Sequence, residues 1–131
     1  MKPHNKGHAV LIIDDDERIR HIIKRQLALA AYTVFEAASA RQAFEIFDSQ
    51  NIDAVVCDIK MKDTDGFEIT KQIKEQLPSL PVVILTGFIE EEYSDKARKL
   101  GCFDFLVKPV KREKLIQVLN KALSTEKINK Q

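Results

Sequence analysis

Five short apolar runs recur along the chain: Ala9–Ile13, Tyr32–Ala37, Ala54–Cys57, Val82–Leu85 and Phe103–Val107, each followed by an amphipathic segment. This alternation constrains the fold more than any other feature. Runs of this length and β-branched content fit strands buried in a sheet. The intervening segments have helical spacing. Ile19, Ile22, Ile23 and Leu27 mark one face of a first helix, and Ala40, Ala43, Phe44 and Phe47 mark a second, capped by Ser39. Ile69, Ile73 and Leu77 outline a third, stopped by Pro78 and Pro81. Tyr93, Ala97 and Leu100 give a weaker fourth, closed by Gly101, and Leu115, Val118, Leu119 and Ala122 give a fifth. Strands alternating with helices predict an α/β fold, a parallel sheet covered on both faces. The second run is the most polar and suits a sheet edge. Right-handed crossovers bring the C-terminal ends of all strands to one edge, where ligands of open sheets bind.

Composition bounds the function. A chain of 131 residues suggests one domain. With 21 basic and 20 acidic side chains the net charge is +1, which gives no electrostatic reason to expect nucleic acid or membrane as a partner. No apolar run approaches the ~20 residues of a membrane span. Met1–His8 is polar, lacks a signal-peptide core and reads as a flexible leader. Residues 9–124 form the domain, and the polar stretch 125–131 reads as a fraying tail. Cys57 and Cys102 lie in apolar contexts without metal-ligand spacing, as expected of reduced core residues in a cytoplasmic protein. His4, His8 and His21 form no cluster, and His21 is expected to face solvent.

The most informative stretch is Asp53–Gly66. Its apolar run, Ala54-Val55-Val56-Cys57, ends in Asp58, and Asp65-Gly66 marks a turn before the next helix. A carboxylate leaving a buried strand is costly to desolvate, so it needs a metal, a cation or solvent. Other polar residues fall at strand ends on the same edge: Asp14 and Asp15 after the first run, Thr86 after the fourth, and Lys108 after the fifth. Clustered carboxylates repel, and a hard divalent cation resolves the repulsion; Mg2+ prefers such oxygen ligands. Metal and Lys108 together can neutralise a transferring phosphoryl group, and Thr86 offers a hydroxyl donor. Asp58 is then the nucleophile that forms an aspartyl phosphate. Asp16 can serve the site or cap the first helix, and the cap is the preferred reading. Singly, each residue has a plain structural role available to it, as a cap or a solvated side chain.

At these residues the chain resembles the receiver domain of two-component response regulators, over about residues 9 to 124. The resemblance rests on Val10-Leu11-Ile12-Ile13-Asp14-Asp15-Asp16, Cys57-Asp58-Ile59, Asp65-Gly66, Leu85-Thr86-Gly87 and Val107-Lys108-Pro109, in that order and spacing. It implies a flavodoxin-like fold with strand order 2-1-3-4-5. It also implies that Asp14 and Asp15 serve a Mg2+ site with Asp58, and that Asp58 takes phosphate from the phosphohistidine of a sensor kinase or phosphotransfer protein. It further implies that Thr86 and Lys108 contact the phosphoryl group, that Phe105 matches an aromatic switch position, and that the Lys108–Pro109 bond is cis. Without the resemblance, Phe105 reads as a core residue. The fourth helix, fifth strand and fifth helix together form the expected face for a downstream target or a homodimer. Lys60 and Phe88, two residues after Asp58 and Thr86, are expected to flank the path of attacking water. One departure stands out: the family usually has proline four residues after the acceptor, where this chain has Lys62.

Three other readings use the same elements. A haloacid-dehalogenase-like phosphatase needs a second aspartate two residues after its nucleophile, where this chain has Lys60. A flavodoxin-like flavin binder would place a phosphate loop after the first strand, where Asp14-Asp15-Asp16-Glu17 repels phosphate. A non-phosphorylated interaction module has no use for the whole constellation. The expected activity is therefore self-catalysed phosphoryl transfer to and from one aspartate, not enzymatic turnover. Residues 125–131 leave no room for a DNA-binding domain, so the output is expected to be that of a stand-alone regulator or of a receiver cut from a longer protein.

Overall fold

The computed structural model describes residues 7–62, 64–87 and 91–129. In chain order the elements are β1 (Ala9–Ile13), α1 (Glu17–Leu29), β2 (Thr33–Ala37), α2 (Ala40–Ser49), β3 (Ala54–Cys57), α3 (Gly66–Gln76), β4 (Val82–Thr86), α4 (Glu91–Lys99), β5 (Asp104–Val107) and α5 (Arg112–Asn129). The five strands form one parallel sheet in the order β2-β1-β3-β4-β5, as the resemblance implied.

Strand periodicity divides the apolar residues between the two faces of the sheet. Val10, Ile12, Val56, Val83 and Leu85 pack on Ile23 and Leu27 of α1 and on Leu115, Val118 and Leu119 of α5. Leu11, Ile13, Val55, Cys57, Val82 and Ile84 point the other way, onto Ala43 of α2, Ile69 and Ile73 of α3 and Ala97 of α4. β1, β3 and β4 are buried throughout, whereas β2 at the edge is only partly covered. Side chains start three of the helices: Asp16, Ser39 and Asp65 accept hydrogen bonds from the amides of Arg18, Gln42 and Phe67. Asp16 is thus the cap it was read to be. Gly101, with φ +84°, follows α4 in the left-handed conformation that glycine tolerates.

Some expectations shift. Ile22, assigned to the apolar face of the first helix, is 53% exposed, whereas Ile23 and Leu27 are buried and Ile19 packs partly buried beside them. Leu77, assigned to the third helix face, is the C-cap of α3 and is 41% exposed. Tyr32 precedes β2: its amide donates to Leu27 O in the turn after α1, its ring is buried and its hydroxyl donates to Asn120 Oδ1 on α5. α5 extends to Asn129. The leader up to Lys6, Phe88 and the last two residues of the tail lie outside the described residues.

One close approach links the fold to the sheet edge. At Gly66, the first residue of α3, an added Cβ would sit 1.9 Å from the carbonyl oxygen of Asp58, and the Gly66 amide donates to Ile59 O at 2.6 Å. The start of α3 therefore rests directly on the backbone that carries Asp58. A methyl group there has to push backbone, not a flexible side chain. Gly66→Ala is expected to cost at least about 2 kcal/mol of stability by overpacking, measured by urea denaturation. Unchanged stability would show that the contact is softer than its geometry.

Candidate functional site

The register of the central strands assembles the site. Ile13 pairs with Cys57, so the next residues of β1 and β3, Asp14 and Asp58, leave the sheet side by side. Backbone bonds hold this exit: Asp58 N donates to Ile13 O at 2.9 Å, and Asp14 N donates to Ala37 O at 3.1 Å. On the other side, Thr86 closes β4 opposite Val107 of β5, and Lys108 N donates to Thr86 O at 2.7 Å. The strand order reverses between β1 and β3, so the cluster lies where open parallel sheets bind ligands.

Lys108 Nζ lies 3.0 Å from Asp14 Oδ2 and 3.6 Å from Asp58 Oδ2, one ammonium shared by two carboxylates. Asp14 is 2% exposed; its Oδ1 accepts from Asp16 N at 2.9 Å. Asp58 Oδ1 accepts from Ile59 N at 2.8 Å. Asp15 Oδ2 accepts from Lys62 N at 2.7 Å, which joins the loop after β1 to the loop after β3. Each carboxylate is thus held by one main-chain amide. Asp14, Asp15 and Asp58 each offer an oxygen within 4.8 Å of the others. That is a hard-oxygen donor set of the kind Mg2+ or another divalent cation takes.

The remaining expected residues have distinct settings. Thr86 is fully buried at the end of β4. Phe105 sits opposite Ile84 on β5, half-buried, and packs on the sheet face that carries α4. Lys108–Pro109 is cis. Lys60 is exposed, with its Nζ 5.9 Å from the Tyr93 ring; Tyr93 meets Phe67 edge-on at 5.6 Å, and Lys96 Nζ caps Phe67 at 4.8 Å. Both cysteines are free, and burial raises both thiols, Cys102 to about 11 and Cys57 beyond it. Both are therefore neutral near pH 7 and unsuited to nucleophilic work.

Two contributors were not visible in the sequence. Arg20 Nη1 donates to the Asp14 carbonyl at 2.7 Å while its Nε pairs with Glu36 of β2 at 3.2 Å, and Lys24 also approaches Glu36 at 3.4 Å. Helical spacing places Arg20 off the apolar face, which reads as solvent. The second is the Lys62 amide, a main-chain group that no residue pattern reveals.

Comparison with known proteins decides the family. The family model described as response regulator receiver domain matches residues 10–120. The chain belongs to the response regulator receiver domain family. This receiver domain is 37% identical over 115 residues to the transcriptional regulatory protein ZraR of Escherichia coli, covering 88% of this chain and 26% of that protein. A putative NtrX-like response regulator of Rickettsia conorii is 34% identical over 124 residues, covering 93% of this chain and 26% of that one. The receiver domain thus spans about a quarter of the length of these curated relatives. Among solved structures, a receiver domain protein from Clostridium thermocellum superposes with TM-score 0.87 at 33% identity, covering 92% of this chain and 98% of that one. The chemotaxis protein CheY4 of Vibrio cholerae gives TM-score 0.84 at 30% identity, with coverages of 88% and 98%. The family is a signalling module of two-component systems, not a class of turnover enzymes. No helix among the described residues is long and apolar enough to cross a membrane.

Burial displaces the Asp58 carboxyl most, raising it from 3.8 to about 6; Lys108 opposes this, Asp14 adds to it, the Ile59 amide opposes it and Asp15 adds to it. Below 3.8 the group is protonated in folded and unfolded chains alike, and between 3.8 and about 6 only the folded chain keeps the proton. Stability from this group is therefore lost as pH rises through about 6. The rise is worth ~3 kcal/mol, of which water at the open edge screens part, leaving about 1–2 kcal/mol. In metal-free buffer Asp58→Asn is expected to melt above wild type well over pH 6, with the gap closing towards pH 3.8. Parallel melting curves at every pH would contradict a strained Asp58 carboxylate.

Proposed function

We propose that this receiver domain accepts a phosphoryl group on Asp58 from the phosphohistidine of a sensor kinase or histidine phosphotransfer protein. One observation carries the reading: the Asp58 carboxylate shares Lys108 with buried Asp14 and offers an oxygen within 4.8 Å of oxygens of both Asp14 and Asp15. A phosphatase of the haloacid dehalogenase type lacks its general acid here, since Lys60 occupies that position. Cytoplasmic location fits the partners proposed.

In the reaction an Asp58 oxygen attacks phosphorus, the P–N bond breaks, and its electron pair returns to the imidazole nitrogen, which takes up a proton. The product is an aspartyl phosphate. Lys108 stands within reach of the Asp58 oxygens and offsets the charge that the transferring group brings. Thr86 supplies a hydroxyl at the end of the neighbouring strand. Asp14, Asp15 and Asp58 would hold Mg2+; their all-oxygen chemistry and mutual spacing suit it. When bound, the metal supplies charge neutralisation for the carboxylates and the phosphoryl oxygens. The amides of Asp16 and Ile59 keep the Asp14 and Asp58 side chains from turning out to solvent, and Arg20 braces the main chain of Asp14 through its carbonyl.

Signalling follows from Thr86 and Phe105. Strand periodicity places both on the same sheet face, diagonally across the β4–β5 pair. When the Thr86 hydroxyl moves to the phosphoryl oxygens, the half-buried Phe105 ring fills the space it leaves. That alters the face built by α4, β5 and α5, proposed as the contact for a downstream target or a second receiver. Phosphate biases this equilibrium only through its different contacts in the two states.

Incubation with acetyl phosphate is expected to add one phosphoryl group by intact mass, only with Mg2+ present, and none to Asp58→Asn. Thr86→Ala should still be phosphorylated. On adding beryllofluoride, its amide exchange over residues 91–112 should change much less than that of wild type. Phosphorylation of Asp58→Asn would remove the acceptor assignment, and equal exchange changes in the two proteins would remove Thr86 as the coupling residue.

A further inference from the structure

The three carboxylates of the site are not anchored alike. The amides that hold Asp14 and Asp58 are local, from Asp16 and Ile59. Lys108 also faces both. The amide that holds Asp15 comes from Lys62, 47 residues away along the chain, in the loop after β3. Asp15 is also more exposed than buried Asp14, so it has more rotamer freedom to lose. Lys62 stands where the family usually has proline, and proline has no amide hydrogen to donate.

We propose that the Lys62 main-chain N–H is the positioning group for Asp15: it fixes the carboxylate towards Asp14 and Asp58 and so preorganises the cation site. The ammonium of Lys62 plays no part in this, because the bond is made by the backbone. The residue that departs from the family pattern thus replaces a stiff ring with a hydrogen bond that ties the loop after β1 to the loop after β3. A carboxylate oxygen has lone pairs for both an amide and a metal, so the tether orients a ligand without occupying it. It also makes cation binding and the order of the loop that follows Asp58 mutually dependent, since each stabilises the other.

This inference rests on the Mg2+ reading above, and the experiment separates the two. Mg2+ affinity is measured by isothermal titration calorimetry for wild type, Lys62→Ala and Lys62→Pro, with the folded state of each checked by circular dichroism. Both variants lose the ammonium, but only Lys62→Pro loses the N–H. Lys62→Ala should bind Mg2+ at least as tightly as wild type, because it has lost a nearby positive charge. Lys62→Pro should bind about five- to tenfold more weakly than Lys62→Ala, the loss of one hydrogen bond to a charged acceptor. A proline that disturbs the loop is covered by a second measurement without it. Amide exchange at Lys62 in metal-free protein should be slow in wild type and at least about tenfold faster in Asp15→Ala. Equal affinities for Lys62→Pro and Lys62→Ala, or equal Lys62 exchange with and without Asp15, would overturn the tether. A wild-type protein that binds no Mg2+ would overturn the metal reading and this inference with it, whereas Lys62 exchange reports the hydrogen bond itself.

Discussion

Repulsion among Asp14, Asp15 and Asp58 is the constraint on which the site depends. Three carboxylate oxygens lie within 4.8 Å of one another, one of them on a residue only 2% exposed, so their charges call for compensation. Within the protein that compensation is Lys108, 3.0 Å from Asp14 and 3.6 Å from Asp58. It does not offset the burial of Asp58, which together with the charges of Asp14 and Asp15 holds that carboxyl above its ordinary value. The remaining imbalance is what a divalent cation, and then a phosphoryl group held between cations, would relieve. The acids come from β1 and β3 and the cation follows β5, so the balance exists only once β5 has docked on β4.

The two faces of the sheet carry different loads. Towards α1 and α5 the core is built of large aliphatic side chains such as Ile12, Leu27, Leu115 and Leu119, buried to 1% exposure or less. Towards α4 the packing is looser: Phe105, Tyr93 and Leu100 are only partly buried, and among the described side chains of α4 Ala97 is the buried one. A half-buried ring next to a short, charged helix can change its setting at lower cost than a ring locked in a close-packed core. A conformational readout of Asp58 chemistry therefore fits the α4 side better than the α1–α5 side.

Much of this was legible in the residues. Asp58, Asp14 and Thr86 follow apolar runs, and the parallel alternation of strands and helices brings those ends to one edge without any knowledge of side-chain contacts. The Asp16 and Ser39 caps were legible because capping is local chemistry. What escaped notice depends on three-dimensional neighbours. Ile22 and Leu77 match a helical repeat but lie at the margin of the buried face, where a rotation of a few tens of degrees decides exposure. Tyr32 satisfies strand propensity, yet its hydroxyl is claimed by Asn120, 88 residues away. Arg20 and the Lys62 amide act through backbone atoms, and no side-chain pattern encodes which carbonyl a guanidinium will meet or where a main-chain N–H will point.

Asp58 as the phosphoryl acceptor is tested most directly by chemical trapping. Acyl phosphates are reduced by borohydride to the alcohol, so an aspartyl phosphate becomes homoserine at its own position. Protein treated with acetyl phosphate and Mg2+, reduced and digested, should yield homoserine at residue 58 in the peptide that contains Cys57 and Ile59. Asp14 and Asp15 should remain aspartate. Homoserine at either of those positions, or phosphorylated protein with unmodified Asp58, would contradict the assignment of nucleophile and supporting acids.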